Sequence, residues 1–403
     1  MNQQILEGIR IVEFGWAVVG PLTTSWAGGY GAEVIKIETK TRPDIIRTMT
    51  PYKDDRVDLN NSLFFGRENA NKYSLGLNLK HPEGVKIAKR LVAESDCVLD
   101  SYTAGVMDRY GLGYDDLKQI KPDIIMLSSC MYGQTGSLRS MPGYGVPLTA
   151  ISGLTSLCGW CDRPPTGPYG SYTDYLVPRL NLLAIVSALD YRRRTGKGTY
   201  IDAAQLESTV QFVSPVLLEY EANKRTSIPS GNASNRAAPH GVFPCQGNDR
   251  WCAISVFSEE EWQGFCKVIG HLSWTKRPEF ASLAERKKNE AKLNLLVEEW
   301  SREQDAEWVM VQMQNHGVPA GVANNGKDLG SDPQLTFNHY YRKLEHPEMG
   351  PVDYAPHSIE FSKSPQEIFR SPCLGEHTEH ICKDIIGLSD QEFQRYVAEG
   401  VFE

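Results

Sequence analysis

Residues 8–38 confine this chain to one class of fold. Gly8-Ile9-Arg10-Ile11-Val12-Glu13-Phe14 reads as a strand, Gly15 to Gly20 as a loop, and Pro21 suits the first position of a helix running to about Gly31. Glu33-Val34-Ile35-Lys36-Ile37-Glu38 is a second strand. Two strands joined through one helix form a βαβ unit, and that unit builds a parallel sheet. Further signals of the same kind follow. Residues 84–94 are helical, with Val85, Ala88, Leu91 and Val92 on one face, and 97–100 and 124–129 read as short strands. The predicted fold class is α/β, a Rossmann-like parallel-sheet domain over about residues 1–200.

The texture changes near Ser227. Pro229-Ser230-Gly231-Asn232-Ala233-Ser234-Asn235 reads as a linker or loop, 251–256 as a strand, and 259–269 and 285–300 as amphipathic helices. Residues 201–226 are taken as a linker, 227–325 as a smaller α+β domain, and 330–403 as a return to the large domain. Pro351, Pro356, Pro365 and Pro372 give that return an extended character, and a short helix near 390–399 closes it.

At 403 residues the chain has room for two or three domains. Its net charge of -8 argues against nucleic-acid and membrane-surface partners, so a phosphate-bearing ligand needs a local basic patch. No apolar run reaches the roughly 18 residues of a membrane span. Met1-Asn2-Gln3-Gln4-Ile5 has neither the basic start nor the apolar core of a signal peptide. Nine scattered cysteines point to reduced thiols and a cytoplasmic setting.

Asp174 is the most informative single residue. It closes the polar stretch 167–174 and precedes the apolar run 175–189, where Pro178 fits a first turn. The run is apolar on nearly every side, which predicts a buried helix, and Arg192-Arg193-Arg194-Thr195-Gly196 ends it with cations and then glycine. A carboxylate there feels the positive end of the helix dipole. It can be an ordinary N-cap or a nucleophile.

Other motifs are weaker. The first loop spaces its glycines as Gly15-x-x-x-x-Gly20, so the close approach to a dinucleotide pyrophosphate is not encoded, although Glu38 stands where a ribose acid would. Lys36, Lys40, Arg42 and Arg47 cluster after it; they form a solvated face or receive phosphate. Cys158-Gly159-Trp160-Cys161 has redox spacing but leads into Asp162-Arg163-Pro164-Pro165, a loop, and no second pair completes a zinc site. His377 and His380 lack further ligands, so no metal is expected. No G-x-S-x-G or P-loop string occurs.

Several segments together resemble the class III CoA-transferases, the formyl-CoA and carnitine type. They are 8–14 with Gly20-Pro21, then 31–38, 71–79, Tyr132-Gly133-Gln134-Thr135-Gly136, Arg194-Thr195-Gly196-Lys197-Gly198, Gly317-Val318-Pro319-Ala320-Gly321, Asp332-Pro333-Gln334-Leu335 and Leu374-Gly375-Glu376-His377-Thr378. The set runs in order through nearly the whole chain. The resemblance implies that Asp174 is the nucleophile. It would attack an acyl-CoA donor, form an acyl-aspartyl anhydride, become an aspartyl-CoA thioester, and hand CoA to a free carboxylic acid. It also implies no permanently bound cofactor, with the coenzyme A thioester as substrate. Implied CoA contacts are Ala17, Val18, Val19, Thr39, Lys40, Leu77, Asn78, Leu79, Lys80, Ser101, Tyr102, Arg109, Cys130, Met131 and Tyr132. Thr39 and Cys130 stand where some members carry basic residues, so phosphate contacts are expected to move to Lys40 or Arg42. The glycine-rich loop that closes some members is absent; 231–235 is the nearest stretch. Members are interlocked dimers, so a homodimer, or a heteromer with a related subunit, is implied.

A second reading is an α-methylacyl-CoA racemase, which shares this fold and pairs the aspartate with a histidine in a Gly-His-Asp string. Here the string is Gly143-Tyr144-Gly145, and a tyrosine with a reference pKa near 10 is a poor proton shuttle. Trp16, Trp26, Tyr144, Trp160 and Tyr172 supply aromatic surface for a large acid, or simply pack.

Overall fold

The computed structural model describes residues 4–355 and 358–403, so the start at Met1–Gln3 and Pro356 lie outside the described residues. The chain divides into two compact units: residues 1–156, 167–227 and 337–403, and residues 157–166 with 228–336.

The first unit is built on β1 (Arg10–Phe14), α1 (Val19–Gly29), β2 (Glu33–Glu38), α2 (Leu63–Glu68), β3 (Tyr73–Gly76), α3 (Pro82–Ala93), β4 (Cys97–Asp100), α4 (Val106–Arg109), α5 (Tyr114–Ile120), β5 (Ile125–Cys130), α6 (Gly145–Ile151), α7 (Leu154–Leu157), α8 (Tyr172–Thr195), β6 (Thr199–Ala204), α9 (Gln205–Val210) and α10 (Ser214–Asn223). The six strands form one parallel sheet in the order β3-β2-β1-β4-β5-β6. The chain winds outward from β1 through β2 to β3. It then returns to the other side of β1 for β4, β5 and β6. Strand order therefore reverses between β1 and β4, and such a reversal opens a crevice at the carboxyl ends of the strands.

The inner strands are buried on both faces, which is why they read as continuous Val/Ile/Leu runs. α3 shows how a covering helix forms. Pro82 opens it, the His81 ring accepts the Glu83 N–H at 3.2 Å, and Ile87, Ala88, Leu91 and Val92 bury one face. They pack with Val12, Phe14, Val98 and Leu112 in one core. Each fully buried Leu or Ile contributes about 2–3 kcal/mol by area removed from water.

Three expectations need correction. Residues 201–226, read as a linker, complete β6 and form α9 and α10; the polar edge-strand sequence Thr199-Tyr200-Ile201-Asp202 hid it. α8 begins at Tyr172, so Pro178 lies well inside it and not in the first turn. α8 is not buried all round within the chain: Leu180, Leu183 and Val186 are exposed, Leu183 by 63%. In the tail the closing helix stands where expected, at Asp390–Ala398, and an antiparallel hairpin of β10 (Arg342–His346) and β11 (Gly350–Tyr354) is added to it.

The second unit holds an antiparallel sheet of β7 (His240–Pro244), β8 (Trp251–Ser255) and β9 (Ala320–Val322). Helices Glu259–Val268, Glu290–Ser301 and Ala306–Asn315 supply Trp262, Phe265, Leu293, Val297, Val309 and Met313 to its core. The helix expected over 285–300 is two helices that break at Asn289.

Candidate active site

α8 carries Asp174 to the carboxyl side of the sheet. Two turns further along, the Asn181 amide donates to Ser129 Oγ at 3.1 Å and Thr23 Oγ1 at 3.4 Å, which pins the helix to the strand end of β5 and to α1. Ser171 is the helix N-cap residue, and Asp174 is the third residue inside, with its N–H donating to Ser171 O at 2.8 Å. Pro178 has no N–H, so the Asp174 carbonyl lacks its usual partner four residues on.

Asp174 is 6% exposed. Burial pushes its carboxyl up to about 7, while the Gly145 backbone and the Ser171 hydroxyl, both within hydrogen-bonding reach, pull the other way. No cation within ion-pairing distance compensates it among the described residues. Gly145 opens α6, and its carbonyl accepts the Thr149 hydroxyl at 2.7 Å and the Thr173 hydroxyl at 3.4 Å. A Cβ on Gly145 would stand 1.9 Å from Ser171 Cβ and 2.6 Å from Asp174 Oδ2. Glycine is required there because the Ser171 side chain, and behind it the Asp174 carboxylate, fill that space.

A contrasting set of charges lies under the β1–α1 loop. Lys36 Nζ meets Glu13 Oε1 at 2.9 Å, Asp44 Oδ2 at 3.0 Å and the Gly15 carbonyl at 2.8 Å. Lys72 Nζ meets Glu13 Oε2 at 2.8 Å and the Pro21 carbonyl at 2.7 Å. Asp44 Oδ1 accepts the N–H of Ala17 at 3.0 Å. The loop is thus held at Gly15, Ala17 and Pro21, with Ala17 in the left-handed region at φ 62°. Burial works against the Glu13 charge, but the two lysines win and hold its carboxyl at about 2. Beside this set, Arg47 grips Glu38 through two nitrogens at 2.7 and 3.0 Å. Two further carboxyls are raised to about 7 by burial. Asp100 is tied to the Ser128 hydroxyl at 2.5 Å; Glu68, with Arg67 at 3.9 Å, leaves Oε2 without a hydrogen bond among the described residues.

The α/β sheet with its strand-order reversal agrees with the comparisons to known proteins. The model for CoA-transferase family III matches residues 6–378. The chain belongs to that family. A succinyl-CoA:glutarate CoA-transferase of Homo sapiens is 30% identical over 404 residues, spanning 100% of this chain and 91% of the relative. The beta subunit of a succinyl-CoA–L-malate CoA-transferase of Chloroflexus aurantiacus is 30% identical, spanning 96% of this chain and 95% of the relative. The crystal structure of a CAIB/BAIF family protein from Brucella suis superposes with a TM-score of 0.87 at 28% identity, over 95% of this chain and 100% of that one. This chain is therefore a class III CoA-transferase, whose family works on CoA thioesters and carboxylic acids.

The residues that the family resemblance assigns to CoA all follow strand ends of one sheet. Ala17, Val18 and Val19 follow β1, Thr39 and Lys40 follow β2, and Leu77–Lys80 follow β3. Ser101 and Tyr102 follow β4, with Arg109 closing α4, and Cys130–Tyr132 end and follow β5. The Ser101 hydroxyl bridges the reversal, accepting the Trp16 N–H at 2.8 Å. Arg109, Lys80 and Lys40 are exposed cations; Val18, Val19, Leu77, Cys130 and Met131 are buried. Tyr102 is half-buried against the core, and burial raises its hydroxyl to about 12. Of the basic cluster, Lys36 and Arg47 are buried in ion pairs, not solvated.

The remaining motifs fall elsewhere. Cys158, half-buried, and Cys161, exposed, sit on a loop of the second unit. There Gly231 N donates to Gly159 O at 2.7 Å. His377 accepts the Ser74 N–H at 3.2 Å and His380 meets Asp384 at 2.7 Å. No cluster of three metal-ligating side chains stands among the described residues. No helix among them is long and apolar enough to cross a membrane. Trp26 is core, with the Arg179 guanidinium over its ring at 4.8 Å, whereas Tyr144 and Tyr172 are exposed. Ser171, Gly145, Asp44 and Thr41 were not singled out from the sequence. The Gly143-x-Gly145 string was the one available signal, for a close backbone approach.

Proposed function

We propose that this enzyme moves CoA from an acyl-CoA donor to a free carboxylic acid with Asp174 as covalent relay. The observation that carries the reading is the Asp174 carboxylate, buried, free of a compensating cation, and facing two hydrogen-bond donors in a family III chain. In the ionised form, one Asp174 oxygen attacks the donor carbonyl, and the C–S bond breaks to release CoA thiolate. The thiolate attacks the aspartyl carbonyl of the resulting anhydride, giving an aspartyl-CoA thioester and the free donor acid, which leaves with an oxygen from Asp174. The acceptor carboxylate then attacks the thioester carbonyl and the steps run in reverse. Each exchange is split into easier acyl transfers. Each oxyanion needs N–H donors, and water must be excluded from the anhydride.

CoA is assigned to the crevice at the β1/β4 reversal, along the residues that follow β1 to β5. Arg109, Lys80 and Lys40 would meet its phosphates. The enzyme is read as cytoplasmic and dimeric, either with itself or with a related subunit. The exposed apolar surface of α8, with Phe212, Leu217 and Leu218 beyond it, supports an oligomer. The similarity to a named beta subunit keeps the heteromer in play.

The test pairs two assays on the intact protein. Given an acyl-CoA and a panel of free acids, mass spectrometry should find new acyl-CoA species. Given a 2-methylacyl-CoA in deuterated water without acceptor, the α-carbon should neither invert nor gain deuterium. Inversion with deuterium uptake and no acceptor dependence would establish a racemase instead.

A further inference from the structure

The turn after β2 already holds an anion, and the anion belongs to the chain itself. The Glu403 carboxylate accepts from the Thr39 hydroxyl and, at 3.1 Å, from the Thr41 N–H. The Thr41 hydroxyl and the Lys40 backbone N–H also reach it. The two threonine hydroxyls lie 2.9 Å apart. Burial raises the Glu403 carboxyl, but these donors outweigh it and keep the group ionised below the usual range. Consecutive backbone N–H groups and paired hydroxyls converging on one oxyanion are the construction of a phosphate nest. Among the described residues no lysine or arginine pairs with Glu403, so the cations nearest in sequence remain available. Lys40 is exposed, and the Arg42 guanidinium lies over the Trp16 ring at 4.9 Å.

Glu403 is delivered there by defined contacts. Asn78 N donates to Val401 O at 2.9 Å, and Glu403 N donates to Gly76 O at 3.4 Å. Phe402 stacks on Phe393 with ring centres 5.1 Å apart. Gly76 is needed for the approach, because a Cβ there would stand 2.0 Å from Glu403 O. The segment therefore lies along the same strand ends to which CoA is assigned.

We propose that Glu403 is a built-in competitor for the CoA phosphate contacts already assigned to the turn at Thr39–Thr41. Its carboxylate satisfies the donors in the empty enzyme and leaves when a phosphate group of CoA arrives. A phosphate brings more charge and more acceptor oxygens than a carboxylate, so it wins the exchange. Ligands without phosphate cannot displace Glu403, and the contact favours true CoA thioesters over shorter thioesters. The proposal rests on the CoA reading above.

Calorimetric titration tests it with CoA, dephospho-CoA (which lacks the 3′-phosphate) and pantetheine. The proteins are the unaltered chain, Glu403→Ala, Glu403→Gln, Thr39→Val and a surface control, Glu399→Gln. Removing a competitor raises apparent affinity by the reciprocal of the fraction of sites it left free. Glu403→Ala should bind CoA about five- to tenfold more tightly, with pantetheine unchanged. Thr39→Val should weaken CoA alone. A gain confined to CoA places the 3′-phosphate in the turn; an equal gain for dephospho-CoA places the diphosphate there. CoA affinity that is unchanged or weaker in a normally melting Glu403→Ala would overturn the competitor, as would equal tightening by Glu399→Gln. If Glu403→Ala melts early, an unaltered CoA affinity in Thr39→Val overturns the site on its own. An unaltered chain that binds no CoA at all would instead remove the functional reading beneath.

Discussion

Two regions of the first unit bury carboxylates and treat them in opposite ways. Under the β1–α1 loop, Glu13 is fully buried between Lys36 and Lys72, and its carboxyl is held at about 2. At the start of α8, Asp174 is buried to a similar degree with only dipolar donors, and its carboxyl rises to about 7. Taking an ion out of water costs several kcal/mol, and a paired ion recovers it by Coulomb attraction. The paired set fixes the backbone of Gly15, Ala17 and Pro21. The unpaired carboxylate fixes little and keeps its reactivity. Glu13 is compensated and the carboxylate assigned to the chemistry is not; its raised carboxyl is a condition it shares with Asp100 and Glu68.

Replacing each region's carboxylate or its partner should separate the two roles. The largest effect is expected from Asp174→Ala, a loss of transfer of about 10⁴-fold or more with an unchanged circular dichroism spectrum. Retained activity would make Asp174 an ordinary first-turn residue. Next comes Lys36→Met, which strands Asp44 in the interior and leaves Glu13 with Lys72 as its one lysine partner. Removing one partner of a buried pair costs about 3–5 kcal/mol, so the urea midpoint should fall sharply. A near-normal midpoint would show that the network is not structural. Arg109→Ala should raise the KM for acyl-CoA about tenfold through a lost charge-assisted phosphate contact and leave the KM for the free acid unchanged; equal shifts in both would point to a folding role.

The pH behaviour sharpens the contrast. Asp174 is raised from its ordinary value to about 7, so the folded chain holds a proton there that the unfolded chain releases. Its burial costs nothing below about pH 4 and weighs increasingly against the fold as pH climbs to 7. Asp174→Asn should therefore raise the melting temperature by about 4 °C at pH 8 and not at pH 4. Transfer by the unaltered enzyme should fall as pH drops below about 7, because the nucleophile is then protonated. A flat profile from pH 5 to 8 would contradict the unpaired environment. The smallest effect is expected from Cys158→Ser combined with Cys161→Ser, with activity within about twofold of normal, since surface substitutions away from special features change little.

Much of this was legible in the chain, and the exceptions have physical causes. The first βαβ unit declared itself through a buried strand, a helix and a second buried strand, and it appears within a few residues of expectation, the helix starting at Val19 with Pro21 third inside it, not first. β3 and β6 did not, because they are the two edges of the sheet, β3 four residues long and β6 with Thr199-Tyr200-Ile201-Asp202 facing alternately inward and outward. The run after Asp174 looked buried on every side, but apolar composition alone does not fix how much of a helix is covered, and Leu180, Leu183 and Val186 are exposed. Asp174 could be picked out by its place before a helix and by family resemblance. Ser171 and Gly145 could not, because their proximity depends on how α6 meets α8 across 26 residues of chain. The Glu403–Thr39 contact spans nearly the whole sequence, and no local pattern encodes it.

The central claim is that Asp174 exchanges an oxygen with its substrates. The direct measurement uses an acceptor acid labelled with heavy oxygen in its carboxylate. The enzyme turns over with an unlabelled acyl-CoA in ordinary water and is then digested for mass spectrometry. The account predicts one heavy oxygen entering the Asp174 side chain per turnover and none entering Glu13, Asp44, Glu68 or Asp100. New acyl-CoA formed with no label at Asp174 would contradict it.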